Sequence, residues 1–223
     1  MRSLTKKIKG FWAEEKSLSV LLVILLIQIF VVIQLGQGSL FGKIIFSVLY
    51  IFLLSVGLVY MTLTRRLALT LFLSLAAAVM LCAIVLTDAL WVDIMTDAFI
   101  VFYCILLEWI VLLRTFAKGP ITYHRILGSI VGYLLLALIF AHLYDISYLC
   151  LGKDTFKGLV SSDKKEFMYF SLTTLATVGY GDIAPAIPLT RSLSNLEGLT
   201  GQLYPAILIT RIVSMQIDYY KKG

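Results

Sequence analysis

Six apolar segments, each close to the length a helix needs to cross a bilayer, constrain this chain more than any other feature. They run over Leu18–Leu35, Ile44–Leu63, Leu67–Leu86, Leu90–Leu113, Leu127–Leu149 and Leu193–Val213. About 20 helical residues match a hydrocarbon core of about 30 Å. Of the 223 residues, 60% are hydrophobic and 14% charged, and the mean hydropathy is +0.95. Soluble domains of this size do not have that composition, so the expected class is an all-α membrane protein with six transmembrane helices. The first segment follows a basic stretch, as the core of a signal peptide does. It is long and lacks a small-residue cleavage site, so it reads as the first span. Cys82, Cys104 and Cys150 sit in or beside apolar segments with no metal-ligand or disulfide spacing, and they read as small apolar residues.

Between the fifth and sixth segments lies a stretch too short to span. Phe167 to Ala176 is amphipathic, Thr177-Val178-Gly179-Tyr180-Gly181-Asp182 follows, and Pro185 and Pro188 stand where the chain turns back. Such a re-entrant element is tolerated at membrane depth only where protein and an ion path surround it. An extended strand alternates its carbonyls, which would aim only half of them at a central ion. Left-handed backbone angles at Gly179 and Gly181 would turn successive carbonyls the same way. The carbonyls of Thr177, Val178, Gly179 and Tyr180, with the Thr177 hydroxyl, would then form stacked oxygen rings able to replace a cation's water. Asp182 would place a negative charge at the outer mouth.

These six residues resemble the selectivity filter of potassium channels, and the resemblance extends from about Phe167 through the last apolar segment. Thr174 is the threonine that the family places three positions before Thr177. Ala176 departs from the pattern, because many relatives carry a second threonine there. The resemblance implies K+ held at Thr177, Val178, Gly179 and Tyr180, with Val178 and Tyr180 pointing outward to brace the strand. It further implies a homotetramer, with Leu127–Leu149 as outer helix and Leu193–Val213 as inner helix. The permeant species is K+, and no cofactor is expected. A compact chain of this kind resembles prokaryotic members, which places it in the cell membrane.

Charge gives an independent argument for orientation. With both termini cytoplasmic, the inner side holds Arg2, Lys6, Lys7, Lys9, Lys16, Arg65, Arg66, Arg114, Lys118, Arg125, Arg211, Lys221 and Lys222. The outer side keeps only Lys43, Lys153, Lys157, Lys164, Lys165 and Arg191. The positive-inside rule therefore favours the same multi-pass orientation that an outward-opening filter needs. The net charge of +6 reads as topology, and no basic-aromatic patch suggests nucleic acid.

Six spans with a filter before the last also resemble voltage-gated channels, whose fourth helix carries regularly spaced arginines. Leu90–Leu113 carries none before Arg114; it holds Asp93, Asp97 and Glu108 within an arc of roughly 60°. Steep arginine-driven voltage dependence is therefore not expected, and residues 18–118 read as a four-helix peripheral bundle. Asp93 and Asp97 are expected as solvated helix-end residues. Glu108 is expected to snorkel or to pair with Arg65 or Arg66, with a proton- or cation-linked role as the alternative. His142 and Asp145 share a face of the outer helix and suggest an interface pair that Arg191 could join, with binding of protons or a cation from outside as the alternative.

The remaining expectations concern the pore module, residues 119–215. Residues 150–166 form a turret, 167–176 the pore helix and 177–182 the filter. Gly201 and Pro205 weaken the inner helix at the position where relatives place a gating hinge, though small residues also permit close packing. The same resemblance implies that Gln202, Pro205 and Ile209 face the cavity below the filter. Glu197, about 140° around the helix from Gln202, is expected to support the pore helix through Thr173 or Thr174. Residues 1–17 and 216–223 read as cytoplasmic ends too short for a regulatory domain. Gating control would come from the bundle, lipid, protons or a separate regulatory protein. No nucleophile–His–acid set, metal cluster or phosphate loop suggests an enzyme. A potassium transporter subunit, or a silent channel subunit, is the alternative function.

Overall fold

The computed structural model describes residues 16–32, 89–115, 123–161 and 163–220. The segments expected as the second and third spans, together with Arg65 and Arg66, lie outside the described residues. Helix α1, Lys16–Ile27, continues into a π-helical turn, Gln28–Val32. Helix α2 is Leu90–Thr115 and helix α3 is Tyr123–Leu151. Helix α4 is Lys164–Leu175 and helix α5 is Pro188–Tyr220. Helices α2 and α3 are long and apolar enough to cross a membrane. Helix α5 is longer but more polar, with Arg191, Asn195, Glu197 and Gln202 in its first half.

Helix ends depart from the apolar segments for physical reasons. Helix α5 begins at Pro188 because proline's fixed φ suits a first helical turn, where the missing N–H is no loss. It then runs unbroken through Pro205. Helix α4 begins three residues before Phe167, at Lys164, and Ala176 caps it. The turret is correspondingly tighter than residues 150–166. It contains a 3-10 turn, Lys153–Thr155, and strand β1, Phe156–Lys157. Strand β1 pairs antiparallel with β2, Ala184–Pro185, in the register Phe156↔Pro185 and Lys157↔Ala184. This short ladder, absent from an all-α expectation, clamps the chain as it leaves the pore loop.

Helix α3 is the central element, packed on α1, α2, α4 and α5. Its apolar residues, among them Val131, Leu135 and Leu138, form one core with Leu21 and Leu25 of α1 and Leu107 and Val111 of α2. A second core beneath the turret joins Phe140 and Tyr144 to Phe156, Phe167, Phe170 and Ile183. The Tyr144 ring meets Phe156 and Phe170 edge-on at 5.5 and 5.0 Å, the favoured aromatic geometry. Helix α4 is thereby held at a fixed depth beside α3.

Candidate functional site: the pore loop

The pore loop hangs from the C-terminal end of α4. Four successive amides donate back into that end. Ala176 donates to the Leu172 carbonyl and Thr177 to that of Thr174, each at 3.0 Å. Val178 and Gly179 both donate to the Thr173 carbonyl, at 2.8 and 3.2 Å. These bonds satisfy helix-end carbonyls that would otherwise lack partners. Among the described residues, no backbone amide donates to a carbonyl from Thr177 to Gly181. The amides of Thr177, Val178 and Gly179 are spent on the helix, and the loop's acceptors are left over.

The loop backbone alternates in hand. Thr177, Gly179 and Gly181 have φ of 57°, 55° and 81°, whereas Val178 and Tyr180 between them are not positive. Alternating left- and right-handed residues turn successive peptide groups the same way, with amides on one side and carbonyls on the other. Thr177 is the only described non-glycine residue with positive φ. That conformation costs about 1–2 kcal/mol for a residue with a side chain, so the surrounding hydrogen bonds must enforce it. Residues 176–182 are all exposed on the single chain, Val178 at 52% and Tyr180 at 71%.

Beyond the loop, the Tyr169 hydroxyl donates to Asp182 Oδ2 at 2.7 Å, and the Ile183 amide donates to Asp182 Oδ1 at 3.0 Å. The Tyr169 ring stacks parallel to Tyr180 at 6.3 Å. The Tyr169 bond holds the Asp182 carboxyl below the usual carboxylate range, and the same bond pushes the Tyr169 phenol up to about 12. The turret closes over this corner. Gly158 has φ 83°, and a Cβ there would lie 1.7 Å from the Asp182 carbonyl oxygen. The Thr155 carbonyl accepts from the Ala186 amide at 2.9 Å and the Thr190 hydroxyl at 3.0 Å.

Behind the loop, Glu197 is fully buried and joins three helices. Tyr144 of α3 donates its hydroxyl to Oε2 at 2.6 Å, and Ser171 of α4 lies 2.5 Å from Oε1. Thr173 and Thr174 are therefore not its partners. The Thr173 hydroxyl donates to its own helix, at the Phe170 carbonyl, and both threonines serve the loop through their backbone carbonyls. Ser171 stands one helical turn before Thr174, which brings it level with Glu197. Lower down, Gly201 meets the end of α4 so closely that a Cβ would lie 1.9 Å from the Leu175 carbonyl oxygen. That carbonyl accepts the Tyr133 hydroxyl at 3.0 Å, and Tyr204 donates to the Ser129 carbonyl at 2.9 Å. Gln202, Pro205 and Ile209 are exposed on the single chain.

Asp97 of α2 turns inward, against the expectation of a solvated helix-end residue, whereas Asp93 in the first turn is half-buried. Asp97 is fully buried and accepts from His142 Nδ1 at 2.9 Å and from the Lys164 ammonium. Lys164 also pairs with Asp145 at 2.7 Å. The basic partner of His142 and Asp145 is thus Lys164 and not Arg191, whose Nε reaches toward the Pro185 carbonyl. Burial alone would push the Lys164 ammonium down, but Asp97 and then Asp145 outweigh it and hold it above its ordinary range. This cluster ties α2 and α3 to the first turn of α4. Glu108 does not snorkel either: it is buried against α3, and Arg65 and Arg66 lie outside the described residues.

Residues 129–217 match a family model described as ion channel. Two-pore potassium channel 5 of Arabidopsis thaliana is 29% identical over 90 residues, covering 40% of this chain and 22% of that protein. Two-pore potassium channel 4 of the same plant is 34% identical over 84 residues, covering 34% and 30%. The inward rectifier potassium channel Kirbac3.1 of Paramagnetospirillum magnetotacticum is 34% identical over 70 residues, covering 31% and 23%. Over this stretch the chain is similar to potassium channels. The channel domain begins inside α3 and ends inside α5, so it contains α4 and the pore loop. The family is one of ion channels and not of enzymes. The chain spans less than a third of the length of these relatives. No solved structure matches at a significant level.

Proposed function

We propose that the chain is a subunit of a potassium-selective channel, conducting K+ passively through a homotetrameric pore. The observation that carries this reading is the alternating hand of Thr177–Gly181, with the amides of Thr177, Val178 and Gly179 tied to α4 and the loop's carbonyls uncommitted. In this reading the carbonyls of Thr177, Val178, Gly179 and Tyr180 replace the hydration shell of the ion. One chain supplies one wall, so four copies about an axis are needed to surround it. The exposure of Val178, Tyr180, Leu199 and Ile207 on the single chain supports such burial between copies. The C-terminal end of α4, with its negative dipole end, stabilises a cation below the loop. Asp182 concentrates cations at the mouth, and α5 gates the pore at Gly201 and Pro205. Membrane-spanning helices beyond α2 and α3, with both termini cytoplasmic, complete the arrangement.

The test is the reversal potential of purified chain in liposomes, with K+ on one side and Na+ on the other. A value near the K+ equilibrium potential, abolished by Gly179→Ala, supports the reading. A reversal near zero, or no K+ flux at any voltage or pH, would sink it in favour of a nonselective pore or a silent subunit.

A further inference from the structure

Helices α2, α3 and α5 enclose a pocket of about 300 Å³ walled by Ile105, Trp109, Leu136, Ile139, Phe140 and Leu196. That is the lower end of the range for small-molecule sites, which are mostly apolar with a few convergent polar groups. The charged group here is the carboxyl of Glu108. The residue is 6% exposed, and both its oxygens lack a hydrogen-bond partner among the described residues. A buried ionisable group left without partners is costly, and such groups are otherwise found paired.

Nearby donors are already committed. The Thr200 hydroxyl, also on the pocket wall, donates to the Leu196 carbonyl at 2.7 Å. The Tyr204 hydroxyl donates to the Ser129 carbonyl. Gly132 makes room for this arrangement: a Cβ there would lie 2.5 Å from the Tyr204 oxygen and 2.9 and 3.1 Å from the Glu108 oxygens. Among the described residues the lining contains no basic residue, so no neighbour there supplies the complementary charge and a ligand can bring it.

We propose that this pocket binds a hydrophobic amine, its apolar body against α3 and α5 and its protonated nitrogen on Glu108. Such a molecule dissolves in the bilayer, and among the described residues the rim residues Ile105 and Trp109 stay 49% and 65% exposed, which leaves a way in. Trp109 adds an indole face on which an ammonium or an aromatic ring can rest. A bare metal ion does not fit, because one carboxylate among apolar walls cannot supply the six or more oxygens that a hard cation takes.

The site stands apart from the pore loop and does not depend on conduction. The experiment uses the full chain in nanodiscs, with 4-phenylbutylamine as probe and 4-phenylbutan-1-ol as its uncharged counterpart. Equilibrium binding is measured on wild type and Glu108→Gln, with reversal potentials recorded on the same preparations. The expected result is saturable amine binding weakened at least tenfold by Glu108→Gln, no such discrimination for the alcohol, and unchanged reversal potentials. Equal amine binding by both proteins, or no saturable binding to wild type, would overturn the proposal. Should Glu108→Gln fail to assemble, thermal shifts of wild type decide. The amine is expected to raise the melting temperature more than the alcohol at equal occupancy of the membrane, and equal shifts would overturn the site.

Discussion

The Tyr169 hydroxyl donates to the carboxylate of Asp182 at 2.7 Å, so α4 holds the end of the 177–182 loop by a side-chain bond. The bond lowers the Asp182 carboxyl below its unfolded value. A depressed carboxylate contributes stability that is present above its unfolded pKa and lost as pH falls through the folded one. Tyr169→Phe removes the leading cause, so Asp182 should titrate at a higher pH than in wild type. In flux assays with external acidification, we expect the Tyr169→Phe channel to lose conductance at a higher pH than wild type. An acid limb that does not move, or moves to lower pH, would show that this bond does not set the mouth's charge.

The buried Glu197 gives a prediction from counting protons. The Ser171 hydroxyl lies within bonding distance of both Glu197 Oε1 and the Ala137 carbonyl, at 2.5 and 2.8 Å, yet it has one proton to give. The Ala137 carbonyl can only accept. If Ser171 donates there, the short contact to Glu197 needs a proton from the carboxyl side. Gln at 197 can donate to Ser171 and accept from Tyr144, so Glu197→Gln should assemble and melt close to wild type. Glu197→Ala leaves the Tyr144 hydroxyl unmet in a buried site and should cost about 1–3 kcal/mol or more. Denaturant or thermal unfolding of the oligomer separates the two, and a Gln variant as unstable as the Ala variant would refute the shared-proton arrangement.

How much of this was legible in the sequence depends on how local each feature is. The pore loop is local: its glycines, its threonine and the short helix before it lie within about 15 residues, and Gly179 and Gly181 take the positive φ expected of them. Positive φ at Thr177 was not legible, because nothing about threonine favours it; three hydrogen bonds from the loop to α4 hold it there. The partners of Glu197 were misplaced by one turn, although helical spacing puts Ser171 on the same face as Thr174 and could have included it. The Lys164–Asp97 pair joins residues 67 apart, and each charge read alone looked solvated. Only the packing of α2 on α3 brings them together. The acidic face of α2 was correctly marked as a face, but its direction could not be read without its neighbour.

That cluster can be taken apart one charge at a time. Lys164 pairs with two buried carboxyl groups, so Lys164→Met leaves Asp97 and Asp145 facing each other with the His142 imidazole but no ammonium beside them. Breaking a buried pair from one side typically costs about 3–5 kcal/mol, mostly from the charge left behind. Asp97→Asn in the Lys164→Met background should then recover part of that loss. A double-mutant cycle on oligomer unfolding checks it, and purely additive effects would show that the two residues do not interact.

Gly201 and Gly198 make a matched pair on α5. A Cβ at Gly201 would fall 1.9 Å from the Leu175 carbonyl oxygen, whereas one at Gly198 meets nothing within 4 Å of the same chain. The Leu175 carbonyl cannot retreat freely, because it is also held by the Tyr133 hydroxyl at 3.0 Å. Gly201→Ala must therefore push α5 away from the end of α4, directly beneath the loop, at an overpacking cost of roughly 1–3 kcal/mol or more. Gly198→Ala carries no such penalty within one chain and gains helix propensity of up to about 1 kcal/mol. We expect Gly201→Ala to melt well below wild type and to lose K+ over Na+ discrimination as the loop's support shifts. Gly198→Ala should keep both, unless a neighbouring copy packs against it. If Gly201→Ala keeps its melting temperature and selectivity while its open probability changes, the glycine acts only as the proposed hinge and not also as a seat for α4.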